Sequence, residues 1–155
     1  MTQRIHRLAL MVAALWWGGI SALAWVAVPM LFALLGSPVV AGPVAASLFS
    51  VVCLFTAVGG GLLLIFHLFF RPAPLDRLDL FAVVFLIMAM LAAGVQNGWV
   101  ADKIVTARAT GADLKFWHRL GSGLVLMQWT AAAAVLWRLT ATAGPPQPVK
   151  IRPWV

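Results

Sequence analysis

The side chains best suited to binding a small molecule crowd two stretches of the sequence. Gln96 and Asn97 stand together, and His118, flanked by Trp117 and Arg119, is followed one helical turn later by Ser122. Carboxamides, an imidazole and a hydroxyl both donate and accept hydrogen bonds, so their convergence would make a small polar pocket. Gln128 lies ten residues beyond His118, about 15 Å along a helix axis. At that depth its amide needs a partner, because an unpaired amide in hydrocarbon costs several kcal/mol. That partner is either a ligand or a neighbouring helix.

Two further histidines, His6 and His67, fall at the ends of apolar runs. Imidazoles on adjacent helices can ligate haem or a metal ion. A bare two-His pair lacks the carboxylate or thiolate that usually completes a metal shell, so the competing reading is two interfacial residues. Cys53 is the single cysteine, which excludes an intrachain disulfide and a Cys-x-x-Cys metal site. Its thiol and the thioethers of Met88, Met90 and Met127 suit a soft ion such as Cu(I), but show no ligand spacing. Phosphate-loop, Gly-x-Ser-x-Gly and His-Glu-x-x-His motifs are missing. The four acidic residues are all Asp and none sits in the middle of an apolar run. Paired-carboxylate catalysis and a buried proton relay are therefore not expected, and neither is an enzyme or a resident cofactor.

The elements that position these groups follow from composition. Of 155 residues, 63% are hydrophobic and 10% charged, with a mean hydropathy of +1.00. Soluble domains are about 45–50% apolar and about 25% charged, so the chain is an integral membrane protein. About 20 apolar residues cross the hydrocarbon, and four segments qualify: residues 8–35, 44–70, 78–100 and 116–139. The first is too long for a signal-peptide core, about 7–15 residues, and reads as a retained span. Gly36-Ser37-Pro38 and Gly42-Pro43 read as a short turn after it. Arg71-Pro72-Ala73-Pro74 ends the second span. Ala101–Ala109 has no Gly or Pro, so the third helix should extend beyond the membrane for about two turns. Thr110-Gly-Ala-Asp113 has the spacing of a helix start, with Thr110 as cap. Gly144-Pro145-Pro146 opens a Pro-rich tail over 144–155.

Basic residues give an orientation. Arg4, Arg7, Arg71, Arg77, Arg138, Lys150 and Arg152 fall on one side, against Lys103, Arg108, Lys115 and Arg119 on the other. Both termini should then be cytoplasmic, in a bacterial inner membrane. The formal charge of +7 does not imply nucleic acid, because the basic residues stand singly at span ends. Anionic head groups at the cytoplasmic face suit them better, at about 1 kcal/mol each. Trp99, Trp117 and Trp137 suit the interfaces, whereas Trp16, Trp17 and Trp129 lie deeper, filling the bundle, facing lipid or lining a cleft.

The fold expected is an all-α integral membrane four-helix bundle with antiparallel neighbours. Small residues that permit close approach are Ala14, Gly18 and Ala22 in the first helix, and Ser50, Cys53, Ala57, Gly60 on a stripe with Leu64 and His67 in the second. Ala89, Ala92, Ala93 and Gly94 serve the third, and the four alanines 131–134 the fourth. Pro29 should bend the first helix, and Gly59-Gly60-Gly61 reads as packing or local flexibility.

Leu15-Trp16-Trp17-Gly18-Gly19, Val28-Pro29, Phe32, Ala41-Gly42 and Leu48-Phe49 resemble the first half of a bacterial membrane family, domain of unknown function 4149. That family is related to a eukaryotic transmembrane protein associated with tolerance of platinum drugs. Phe116-Trp117-His118-Arg119-Leu120, with Gln128 beyond, is similar to its last helix, although Gly121 and Val125 stand where the family has Ser and Asn. The resemblance spans residues 8–139 and implies a four-helix membrane protein without supplying a reaction. The leading expectation is a non-enzymatic accessory or scaffold component, in a homo-oligomer or larger complex. The alternatives are a small-solute or soft-metal binding protein using His118, Asn97, Gln96, Ser122 and Gln128, and a small b-type cytochrome using His6 and His67.

Overall fold

Four long helices account for nearly all of the computed structural model, which describes residues 2–70, 74–111 and 113–142. They are α1 (Gln3–Leu35), α2 (Pro38–Phe70), α3 (Arg77–Ala107) and α4 (Leu114–Thr142), each long and apolar enough to cross a membrane. No strand occurs among the described residues. The chain is a multi-pass, all-α membrane protein. Each helix packs against its neighbour in sequence, and α1 closes the ring against α4. The Pro-rich tail and residues 71–73 lie outside the described residues.

The turns are encoded in a few residues. Gly36 ends α1 in the left-handed region at φ 59°, which glycine adopts without a Cβ penalty. Ser37 is extended, as a residue before proline must be, and Pro38 opens α2 where a missing N–H costs nothing. The turn is thus two residues long. Gly42-Pro43, read from sequence as part of it, lies inside α2. At the same end α3 runs on to Thr110, and Gly111 caps it at φ 70°, its N–H donating to the Ala107 carbonyl. Asp113, not Thr110, caps α4: its Oδ1 accepts from the N–H of Lys115 at 2.9 Å and Phe116 at 3.1 Å. Thr110 instead belongs to the last turn of the preceding helix.

Immediately before Pro29 the helix changes its hydrogen-bond pattern. Residues Ala22–Ala27 form a π-helical turn, in which Val28 N–H reaches the Leu23 carbonyl five residues back. Widening the helix accommodates a proline whose ring crowds the preceding turn. Two more π turns, Phe66–Phe70 and Gln96–Val100, interrupt α2 and α3.

Packing follows different faces from those the small residues suggest. In α1 the buried stripe is Ala9, Ala13, Trp16 and Ile20, while Ala14 and Ala22 face outward. The reason is area: Trp16 and Ile20 bury far more apolar surface against α2 and α4 than alanines could. The expected stripe of α2 is shifted too. Cys53, Gly60 and His67 are buried, but Ser50 and Ala57 are exposed, and Val52, Thr56, Gly59 and Leu63 complete the inner face. Gly59 and Gly60 each admit a neighbour. A Cβ on Gly59 would stand 3.2 Å from Trp16 Cβ, and one on Gly60 would stand 3.2 Å from Met90 Cγ. The helix is unbroken there, so this run is a packing notch between α1 and α3. In α3 Ala89, Ala92 and Ala93 are buried but Gly94 is exposed, and in α4 Ala131 and Ala132 face the core.

Candidate functional site

Polar groups gather at three depths of this bundle, and each depth has a different chemical character.

At the centre, Trp16, Thr56 and Gln128 form a buried chain. Trp16 Nε1 donates to Thr56 Oγ1 at 3.1 Å, and Thr56 Oγ1 donates to Gln128 Oε1 at 2.8 Å. All three side chains are almost wholly enclosed. The Thr56–Gln128 bond crosses the bundle between α2 and α4, which are not neighbours in the ring. It gives Gln128 the partner its depth requires, and that partner is a helix. Gln128 Nε2 has no partner among the described residues. A second polar link joins α4 to α1, where Trp129 Nε1 donates to Ser21 Oγ at 2.9 Å. Around it Trp17, Trp25 and Trp129 cluster, with ring centroids 5.8 and 6.3 Å from Trp129. The deep tryptophans therefore split between core filling and an aromatic group at the α1–α4 seam.

At the end where α3 begins, Asp76 caps the helix and forms a reciprocal box with Asp79. Asp76 Oδ1 accepts the Asp79 N–H at 2.8 Å, and Asp79 Oδ2 accepts the Asp76 N–H at 3.0 Å. Arg138 of α4 donates from Nε to Asp79 Oδ1 at 2.9 Å and from its guanidinium to Asp76 Oδ2. Asp79 is fully buried, so a carboxylate and a guanidinium clamp α3 to α4. His67 lies at this end as well, its Nδ1 donating to the Leu63 carbonyl at 2.9 Å. Phe66 stands against both histidine rings, 6.1 Å from His6 and 5.5 Å from His67 between centroids. The apolar cleft beside them, about 200 Å³, is lined by residues such as Ala9, Val12, Leu63 and Phe66, and by neither imidazole. Among the described residues no three His, Cys, Asp or Glu side chains gather. Of the sulfur side chains, Met88 is exposed, whereas Cys53 is buried in α2.

At the opposite end, where Gly36 and Gly111 make their turns, all four helices line a partly open cavity of about 200 Å³. Val28 and Phe32 come from α1, Gly42, Ala45, Ala46 and Phe49 from α2, Gln96, Ala101 and Ile104 from α3, and His118, Gly121 and Ser122 from α4. A second space of about 340 Å³ shares Phe32, Gly42, Ile104 and His118 with it and adds Pro38, Val39, Pro43, Val105 and Leu114. Together the two reach the size of ordinary ligand sites, about 300–1,000 Å³. Three special backbone features adjoin the cavity. The π turn of α1 precedes Val28, Gly42-Pro43 lies within the first turns of α2, and the π turn of α3 begins at Gln96. π turns inside α-helices occur frequently at functional sites. Gly121 brings α4 close to α3 at the floor, where a Cβ would stand in van der Waals contact with Ile104 at 3.4 Å and Val100 at 3.5 Å.

The structure thus brings Gln96, His118 and Ser122 to one cavity and leaves two of their sequence companions outside. Asn97 follows buried Gln96 by one residue, about 100° around the helix, and is exposed. Gln128 is committed to Thr56 below. Gln96 is 4% exposed, and its Oε1 has no partner among the described residues. Trp99 and Trp117 pack edge to face nearby at 5.2 Å.

Thr56 and the Asp76–Asp79–Arg138 clamp went unread in the sequence. Asp76-x-x-Asp79 after Pro74 is a helix-start signal of the same form as the one assigned to Thr110 and Asp113. Thr56 lies three residues after Cys53 on the stripe already drawn. The apolar walls from α1 and α2 carried no separable signal, because Val, Ala and Phe are common everywhere in such helices.

A family model described as Domain of unknown function (DUF4149) matches residues 11–113. It covers most of α1, all of α2 and α3, and stops before α4. No curated protein and no solved structure matches the chain.

Proposed function

The chain belongs to the DUF4149 family, and from that premise we propose that it is a non-enzymatic membrane protein that holds a small ligand in the cavity lined by the Gly36 ends of its four helices. The observation that carries this reading is Gln96. A buried amide oxygen without a partner beside a cavity is a cost that a ligand or ordered water removes. His6 Nε2, Trp17 Nε1 and Gln128 Nε2 also lack a partner among the described residues, but none of these residues lines the cavity, so Gln96 alone brings an unspent buried acceptor to it.

The protein sits in a bacterial inner membrane with both termini cytoplasmic, an orientation supported by seven basic residues on the terminal side against four on the other. The cavity then faces the periplasmic half of the bilayer, and Arg4, Arg7 and Arg77 meet anionic head groups of the inner leaflet. A second reading, an accessory or scaffold role in a homo-oligomer or larger complex, is favoured by one feature. Ala14, Gly18 and Ala22 form a small-residue face on α1, and a Cβ at Gly18 would meet nothing within 4 Å. Such faces pack against other membrane helices.

The cavity reading is tested on protein extracted gently from its own membrane. A native mass spectrum should show a small organic adduct that survives delipidation, and Ala46→Phe, which fills the inner chamber, should remove it while the variant still folds. Equal adducts on both proteins would refute the cavity as the site. A defined protein complex without an adduct would favour the accessory reading instead.

A further inference from the structure

We infer that the ligand is an uncharged amphiphile whose head carries a hydroxyl group, as in a lipid-soluble alcohol or phenol, and that this hydroxyl is read by the Gln96 amide. The inference rests on the cavity being a ligand site and adds which chemistry that site selects.

Charge is settled by the lining. None of the residues around the inner chamber is Asp, Glu, Lys or Arg, and His118 is its only titratable group. An ionised head entering such walls would give up its hydration with no permanently charged side chain to replace it. The body of the ligand is apolar for the same reason, since Val28, Phe32, Ala45, Phe49, Ala101 and Ile104 form most of the wall.

The hydroxyl follows from Gln96. A carboxamide presents one acceptor and one donor group, and here it stands at the chamber with its oxygen unsatisfied among the described residues. Its Nε2 lies toward Gly121, 3.8 Å from where a Cβ would stand. Turned about its last bond, the amide offers the chamber either its oxygen or its NH2. A hydroxyl answers both, donating to the first or accepting from the second. An ether answers only the NH2, and weakly, and a hydrocarbon answers neither. Ser122 and His118 stand on the same wall and offer the hydroxyl a second partner. A site built to hydrogen-bond a hydroxyl rejects the analogue that lacks it, because its own buried group is then left unpaired.

The test uses two probes that differ only in a methyl group replacing the hydroxyl proton, 4-octylphenol and 4-octylanisole, titrated into the full-length protein in lipid nanodiscs and read by native mass spectrometry. The phenol should bind at least tenfold more tightly than the anisole. Gln96→Leu should bring the phenol down to the level of the anisole and leave the anisole within twofold of its wild-type value. The wild-type comparison stands alone, so a variant that fails to fold does not remove the test. Equal binding of the two probes to the wild type, abolished by Ala46→Phe, would overturn the hydroxyl inference while leaving the cavity reading intact. Binding of neither probe would overturn both.

Discussion

Arg138→Met should destabilise the protein by about 3–5 kcal/mol, the cost of leaving a buried carboxylate without its cation. Asp79 is fully enclosed, and the Nε of Arg138 is 2.9 Å from its Oδ1. Methionine keeps most of the side-chain volume of arginine, so the loss is electrostatic and not a packing defect. The measurement is the midpoint of unfolding in mild detergent, compared with Arg119→Met, which alters an exposed arginine in the first turns of α4 and should be neutral. A second variant separates the clamp from its parts. Asp79→Leu combined with Arg138→Met removes both charges, and apolar replacement of a buried pair is often neutral or stabilising. The double variant should therefore recover most of the loss. Asp76 still caps α3 through its own Oδ1, which accepts from the backbone of residue 79 whatever side chain stands there. A double variant as unstable as the single one would show that the clamp is not the cause.

Thr56→Val should cost more than Gln128→Leu, although it changes the smaller side chain. The Thr56 hydroxyl is the middle of the chain, accepting from Trp16 and donating to Gln128. Valine has nearly the same shape and removes both bonds at once. It strands the indole N–H and the whole Gln128 amide in the bundle centre, for about 1–3 kcal/mol. Gln128→Leu instead removes the amide, including an Nε2 that has no partner among the described residues. Thr56 still accepts from Trp16, and its hydroxyl hydrogen can turn to a backbone carbonyl one turn earlier in α2. That variant should stay within about 1 kcal/mol of wild type, consistent with the modest average value, about 0.6 kcal/mol, of interhelical hydrogen bonds in membranes. Thermal unfolding of the two variants ranks them directly, and the reverse order would mean that the chain is not held through Thr56.

These effects bear on how far the sequence could be read. The four spans were legible because hydrocarbon demands long apolar helices, and Gly36 followed by Pro38 marks the first turn, although Gly42-Pro43 looked like its continuation and lies inside α2. The packing faces were less so. Small residues permit close approach, but Ala14 and Gly18 lost the inner face of α1 to Trp16 and Ile20, whose greater area decides which side turns in. Capping signals carried similar ambiguity: Thr110 and Asp76 both satisfied the spacing, and only Asp76 stands at a helix start.

The candidate site was legible in its polar half. Gln96, His118 and Ser122 stood out as the polar groups near the ends of apolar runs, whereas the walls from α1 and α2 had no distinctive residue type. Asn97 and Gln128 show why proximity in sequence is a poor guide. The first is turned outward by the 100° step of the helix, and the second is a helical turn count too deep to reach the cavity. The π turns at Ala22–Ala27 and Gln96–Val100 could not be seen at all, since each depends on how a whole helix meets its neighbours.

The central claim, that ligand enters the cavity between the Gly36 ends of the helices, is tested most directly by mapping where a ligand lies. A photoreactive diazirine analogue of 4-octylphenol, irradiated with the protein in nanodiscs and located by peptide mass spectrometry, should label α2 around Ala45–Phe49 and α4 around His118–Ser122. Excess unlabelled 4-octylphenol should suppress that labelling. Labels spread evenly over the exposed apolar faces of all four helices, unaffected by competitor, would contradict the account.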